Sequence, residues 1–184
     1  MGAMTALVPP DVARWQSWAA MIEDFGGTDE MHGSGHWNLD GAPVPTEAGC
    51  AAYVAMTELT STADLDGTRV PSTYFWITDG DGGPDDEVLG FLHLRHVLND
   101  WLLEEGGHIG YAVRPSARRR GHASRALALG VRAAAGLGIE RVLVTCDLDN
   151  AASRRTIEAG GGVLEDERHG KLRYWIACGG ATAG

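Results

Sequence analysis

The sequence predicts a mixed α/β (α+β) domain in which helices flank a mostly antiparallel central sheet. Three observations carry that prediction. Helical periodicity dominates the first sixty residues, and runs rich in β-branched and aromatic residues separated by turn signals follow. The last third then alternates strand, helix, strand and helix before a closing pair of strands.

In chain order, Leu7-Val8 reads as a short strand ended by Pro9-Pro10. Asp11 caps a helical run from Val12 to Phe25, with Val12, Trp15, Trp18, Ala19 and Ile22 on one face and Gly26-Gly27 as its stop. Residues 28–45 have no usable period but hold His32-Gly33-Ser34-Gly35-His36-Trp37, and so long a loop tends to be functional. Thr46-Glu47 opens a second helix to about Leu59, expected to turn Ala51, Val54, Ala55 and Leu59 inward. Ser72 to Thr78 and Glu87 to Arg95 read as an antiparallel pair around the Gly- and Asp-rich loop that follows Asp79. A connection from Asn99 to Gly107 leads to a strand opening at His108, and a helix runs from Ala123 to Leu137. Arg141 to Cys146 reads as a buried strand, and Asn150 caps a short helix to about Ala159. Val163 to Glu167 and Leu172 to Ala177 close the chain as a pair of strands. With no repeat and no long linker, residues 1–184 form one domain: 1–71 supply helices and a loop, and 72–177 supply the sheet.

Composition narrows the function classes. The chain is 44% apolar and 22% charged, which is globular. A net charge of −10 argues against general nucleic-acid binding, whose affinity rests on phosphate contacts. No apolar run reaches the length of a membrane span, so no membrane partner is expected. Cys50, Cys146 and Cys178 are scattered and odd in number, and the seven histidines show no ligand spacing. We therefore expect neither disulfides nor a metal, and a cytoplasmic location. A homodimer is left open.

Five of the fifteen basic residues fall between Arg114 and Arg125. They lie in His108–Arg125, where a short apolar strand breaks at Pro115, passes through Arg118-Arg119-Arg120-Gly121-His122-Ala123, and enters a helix. Free amides and the positive end of a helix dipole, with arginines nearby, make a cradle for phosphate. The pattern is neither a P-loop nor a Rossmann fingerprint.

Val113-Arg114-Pro115-x-x-Arg118-Arg119-x-Gly121-x-Ala123, placed after a strand, resembles the acetyl-CoA loop of the GNAT superfamily of N-acetyltransferases. The segment from Asn150 through Ser153, Ile157 and Glu158 to Gly160-Gly161 resembles that superfamily's next cofactor motif, in the form found in its Rim-type ribosomal-protein acetyltransferase branch. His108-Ile-Gly-Tyr-Ala-Val113 resembles the same branch's central strand, so the likeness covers roughly residues 72 to 177. It implies the GNAT fold and acetyl-CoA as co-substrate. The diphosphate would lie on the amides of Arg119, Arg120, Gly121, His122, Ala123 and Ser124, with Arg118, Arg119 and Arg120 neutralising its charge. The pantetheine arm would pair with the backbone of Tyr111 and Val113, and Asn150 would bond its amides. Asn150 also reads as a plain helix cap, and Ser153 as a cofactor contact or a helix contact.

The implied chemistry is direct acyl transfer to an amine, which needs a proton acceptor, oxyanion donors and in some cases an acid for the thiolate. The position seven after Asn150, where many family members place a tyrosine acid, is Ile157. Either the thiolate leaves unaided, being a fair leaving group, or Ser153 or a water serves as the acid. His108 stands where relatives often carry a glutamate base, and reads equally as a structural histidine bonded to backbone; Glu104 and Glu105 are fallbacks. His93 and Arg95 should share one sheet face and His96 the other, within reach of the acceptor cleft. Trp15, Trp18, Trp37 and Trp101 are candidates for an apolar wall, with packing the expected role of the first two. The acceptor is a small amine or a protein amine, a compact cleft favouring the first. A CoA-binding regulatory module without catalysis is the competing class.

Overall fold

Asp11 opens the first helical stretch by accepting the Ala13 N–H at 2.9 Å. One turn of 3-10 helix, Val12–Arg14, precedes helix α1, Trp15–Phe25, so the predicted helix is split at its start. Gly26, at φ +67°, ends α1 in the left-handed conformation that glycine adopts without strain. Thr46 caps α2, Glu47–Thr60, through the Gly49 N–H. In this computed structural model, which describes residues 4–179, seven strands follow two separate pairings.

Strands β1 (Ala6–Val8), β2 (Ser72–Thr78), β3 (Val88–Arg95) and β4 (Ile109–Val113) form one antiparallel sheet in that order. Strands β5 (Arg141–Asp147), β6 (Val163–Arg168) and β7 (Lys171–Ala177) form a second antiparallel sheet, ordered β5-β7-β6. Helix α3, His122–Gly136, leads from β4 to β5, and α4, Ala151–Ala159, from β5 to β6. The predicted element order holds. The single sheet expected from it is instead two, lying edge to edge at β4 and β5.

Alternation divides the first sheet's side chains between two cores. Leu92, Leu94, Ile109 and Val113 face α3 and α4, joining Leu127, Val142, Val144, Ile157 and Tyr174 in one cluster. Trp76 and Phe91 face α1 and α2, meeting Trp18, Met21, Ile22, Tyr53 and Met56 in another. Aromatic contacts knit the second cluster, with the Tyr53 ring 5.6–6.1 Å from Trp18, Phe91 and Trp76.

One face assignment needs correction. In α2 the buried stripe is Cys50, Tyr53, Met56, Thr57 and Thr60, whereas Ala51, Ala55 and Leu59 are exposed. Thr57 and Thr60 bury their hydroxyls by donating to the carbonyls of Val54 and Met56 in their own helix, which disguises the inward face as polar.

Between β3 and β4 the chain makes a short π-helical turn, Leu102–Gly106. Gly107, at φ +65°, then presses on β5: a Cβ there would lie 2.6 Å from the Leu143 carbonyl oxygen. Only glycine permits that approach.

Candidate active site

The two sheets meet at one rung and then part. His108 donates its N–H to Leu143 O at 2.7 Å, and the Leu143 N–H donates to His108 Nδ1 at 2.9 Å. Beyond that point β4 and β5 share no ladder. Arg114 donates its N–H to Leu89 O in β3, so by alternation Tyr111 and Val113 turn their backbone groups to the open edge. The Tyr111 hydroxyl crosses the gap to Ser153 Oγ at 2.9 Å. Asn150 accepts the Ser153 N–H at 3.0 Å, the capping role read from sequence.

The gap runs toward the turn before α3. Arg119 lies at φ +62° and Gly121 at φ +85°, so two consecutive left-handed kinks lie within three residues. A Cβ on Gly121 would sit 2.6 Å from Arg125 Nη1. No side chain caps α3, which leaves the first-turn amides of His122, Ala123 and Ser124 as open donors. The His122 ring points inward, its Nδ1 2.9 Å from Thr5 Oγ1, so only its backbone can serve a ligand.

The arginines of the turn are not equivalent. Arg118 is engaged, donating through Nε to Val113 O at 2.9 Å and through Nη2 to Glu30 at 2.6 Å. It ties the turn to the 28–38 loop, and its charge is already met. Among the described residues, Arg119, Arg120 and Arg125 pair with no carboxylate, Arg125 donating instead to Arg120 O at 3.2 Å, so all three are cations available to an anion at α3.

The vertex of the gap is the most tightly built region. The cross-strand row Ser72, Arg95, His108 lies beside the row Tyr74, His93, Gly110 on the α1–α2 face. His96 lies on the opposite face, its Nε2 2.8 Å from Thr73 Oγ1, as alternation predicted. The His93 ring stacks on Tyr74 at 3.8 Å, and both of its nitrogens are buried without a partner among the described residues. Gly33 closes over this face, where a Cβ would come within 2.3 Å of Gly110 O. The adjoining Ser34 is buried and its carbonyl accepts the Tyr53 hydroxyl.

Electrostatics at the vertex favour neutral histidines. Burial, then the Arg95 charge, lowers the His108 pKa to about 4 and holds His93 well below its ordinary range. Because Nδ1 of His108 accepts the Leu143 N–H, the neutral ring carries its proton on Nε2. Nε2 is therefore a donor, where a general base would need a lone pair. This bond to the backbone engages Nδ1, the ring nitrogen that carries the lone pair in the neutral form. Burial also pushes the Tyr111 phenol up to about 12, keeping it protonated.

Other expected residues fall elsewhere. Ile157 is fully buried in the α3-side core. Glu104 pairs with Arg168, and Glu165 and Asp166 pair with Arg173. Trp18 is core, while Trp37 and Trp101 are more than half exposed. Sequence reasoning took the Tyr111 side chain for core or wall and missed its bond to Ser153, and nothing in the sequence marks Leu143 or Glu30 as partners.

A family model described as the Acetyltransferase (GNAT) family matches residues 47–161. The chain belongs to this family of acetyltransferases, and family membership supports acetyltransferase activity with acetyl-CoA. The fold agrees with solved structures. RimJ of Mycobacterium smegmatis, solved in complex with CoA-disulfide, is 20% identical with a TM-score of 0.65 over 95% of this chain and 82% of that one. The microcin C7 self-immunity acetyltransferase MccE, with acetyl-CoA and AMP, is 14% identical with a TM-score of 0.62, covering 94% and 92%. A GNAT acetyltransferase of Chromobacterium violaceum is 23% identical with a TM-score of 0.59, covering 97% and 85%. A search of curated proteins gives no sequence match. Among the described residues no helix is long and apolar enough to cross a membrane, and no group of three His, Cys, Asp or Glu could hold a metal ion.

Proposed function

We propose that the protein transfers the acetyl group of acetyl-CoA directly to a primary amine of a small molecule. The observation that carries this reading is the parted edge between β4 and β5, which runs from the His108–Leu143 rung to the open amides of α3. When bound, acetyl-CoA supplies the acetyl group activated as a thioester. The amides of His122, Ala123 and Ser124, with Arg119 and Arg120, hold the diphosphate. Tyr111 and Val113 offer backbone partners to the pantetheine, and Asn150 fixes the start of α4 beside it.

In the chemical step the amine nitrogen bonds to the acetyl carbon and the C–S bond breaks. Of the two protons an ammonium sheds, one leaves on the thiol and one goes to water. Ser153, hydrogen-bonded to the protonated Tyr111, is the donor we assign to the thiol in place of the absent tyrosine at Ile157. Nε2–H of His108 is a donor for the carbonyl oxygen as charge develops on it.

We favour a small acceptor over a protein because the residues at the vertex are little accessible: Arg95 and His108 are each 7% exposed. The test is free-CoA release over a panel of small amines and of peptides with free N-termini or lysines. Turnover confined to small amines bears the reading out. Peptide turnover moves the acceptor class to protein, and acetyl-CoA binding without any turnover makes the chain a binding module.

A further inference from the structure

Arg95 stands out because it is a buried cation without an anion. It is 7% exposed, and its side-chain hydrogen bonds among the described residues are two from Nη1, to Gly106 O at 3.2 Å and Gly107 O at 3.3 Å. No carboxylate among the described residues pairs with it: Glu104, Glu165 and Asp166 of the neighbouring π-turn and hairpin are held by Arg168 and Arg173, and Glu105 and Glu167 form no ion pair with it. Its neighbours His93 and His108 are neutral, so they add no compensating charge. Proteins rarely bury a charge this way, because the desolvation cost goes unmet unless a counter-ion arrives.

The guanidinium also has an unused edge. Nε and Nη2 donate to nothing within the described chain, yet neither is sealed from solvent, unlike His93 Nδ1 and Nε2 and Ser72 Oγ just beneath. An Nε–Nη2 edge is a planar two-donor fork, the shape that binds a carboxylate through both oxygens. Arg95 is also the cross-strand neighbour of His108, its N–H donating to His108 O at 2.8 Å. The fork therefore opens beside the vertex where β4 and β5 part.

We propose that the unused edge of Arg95 binds a carboxylate of the acceptor, so that the small molecule acetylated here is an amino acid or a close analogue with its acid a few atoms from the amine. This rests on the N-acetyltransferase reading above and names the substrate class of that site. A plain amine meets Arg95 as a like charge, whereas an amino acid brings the missing anion.

The test uses the purified full chain and paired acceptors, each amino acid against its own carboxamide, with β-alanine and β-alaninamide added. Free-CoA release is followed for wild type, Arg95→Met and Arg95→Lys. For at least one pair, the acid should exceed the amide in kcat/KM by about tenfold or more, as expected for a charge-assisted bidentate contact. Arg95→Met should bring that ratio within about twofold, chiefly through the KM of the acid. Arg95→Lys, which keeps the cation, should retain part of it and serves if Arg95→Met does not fold. A merely structural arginine would instead lower acid and amide together. Amides used as well as acids, equal losses in the variant, or no acid turned over would each overturn the carboxylate assignment. The parent reading has its own readout: absence of any acetyl-CoA-induced rise in Tm sinks it, whereas a retained rise with amides acetylated and acids refused sinks this inference alone.

Discussion

His108 and Leu143 exchange two hydrogen bonds, one from each backbone amide, and one of them ends on the imidazole ring. That ring nitrogen can accept only while it is unprotonated, which links the join between the sheets to pH. The folded pKa, about 4, lies below the ordinary 6.5, so the contribution is complete above pH 6.5 and is lost as pH falls toward 4. At pH 5 the loss from this group should be on the order of 2 kcal/mol. Denaturant titrations at pH 7.5 and 5 check it. His93 titrates in the same direction, and so His108→Asn should flatten the dependence without abolishing it.

The rate should follow a different group from the stability. If His108 were the base, kcat/KM would show a limb at its pKa. With its lone pair engaged by Leu143, the profile should instead climb with pH toward the pKa of the acceptor amine. His108→Asn should lower the curve and keep its shape. A limb near pH 4 to 6 that disappears in the variant would restore the base.

The turn before α3 predicts an uneven arginine scan. Arg119→Ala and Arg120→Ala should each weaken acetyl-CoA binding roughly tenfold by calorimetry, as expected for loss of a charge-assisted phosphate contact. Arg118→Ala should change it much less, because Glu30 and Val113 already hold that guanidinium. Gly121→Asp should remove the acetyl-CoA-induced rise in Tm, since a side chain at φ +85° is strained and brings negative charge to the cradle.

Tyr111 and Ser153 should behave as one unit. Ser153→Ala should reduce kcat on the order of 10²-fold if the serine protonates the thiol. Tyr111→Phe, which removes the 2.9 Å partner, should act in the same direction, and the double variant should be little worse than Ser153→Ala. Multiplying effects would show that the two hydroxyls act separately.

How far these features could be read from sequence depends on how local they are. Strand β2 was legible to the residue, because STYFWIT is a β-rich run bounded by turn residues. The cap at Asn150 was legible for the same reason, as it is decided within a few residues. The buried face of α2 was not, since Thr57 and Thr60 conceal their polarity through bonds a linear pattern does not show. The gap residues were half legible. Alternation placed His93 and Arg95 on one face. It could not reveal that Nδ1 of His108 is taken by Leu143, 35 residues away, or that Arg95 lacks a carboxylate. Such facts belong to pairs distant in sequence, and no single residue announces them.

The single rung between β4 and β5 also bears on how the molecule holds together. On the α3 side the two sheets share a continuous apolar core, but along their adjoining edges one residue supplies the backbone connection. A chain laid along that edge would act as the missing strand, lacing the halves through Tyr111 and Val113. The co-substrate then doubles as a seam. Without it, β5, β6 and β7 should exchange their amide hydrogens ahead of β2 and β3; with it, the two halves should come apart together.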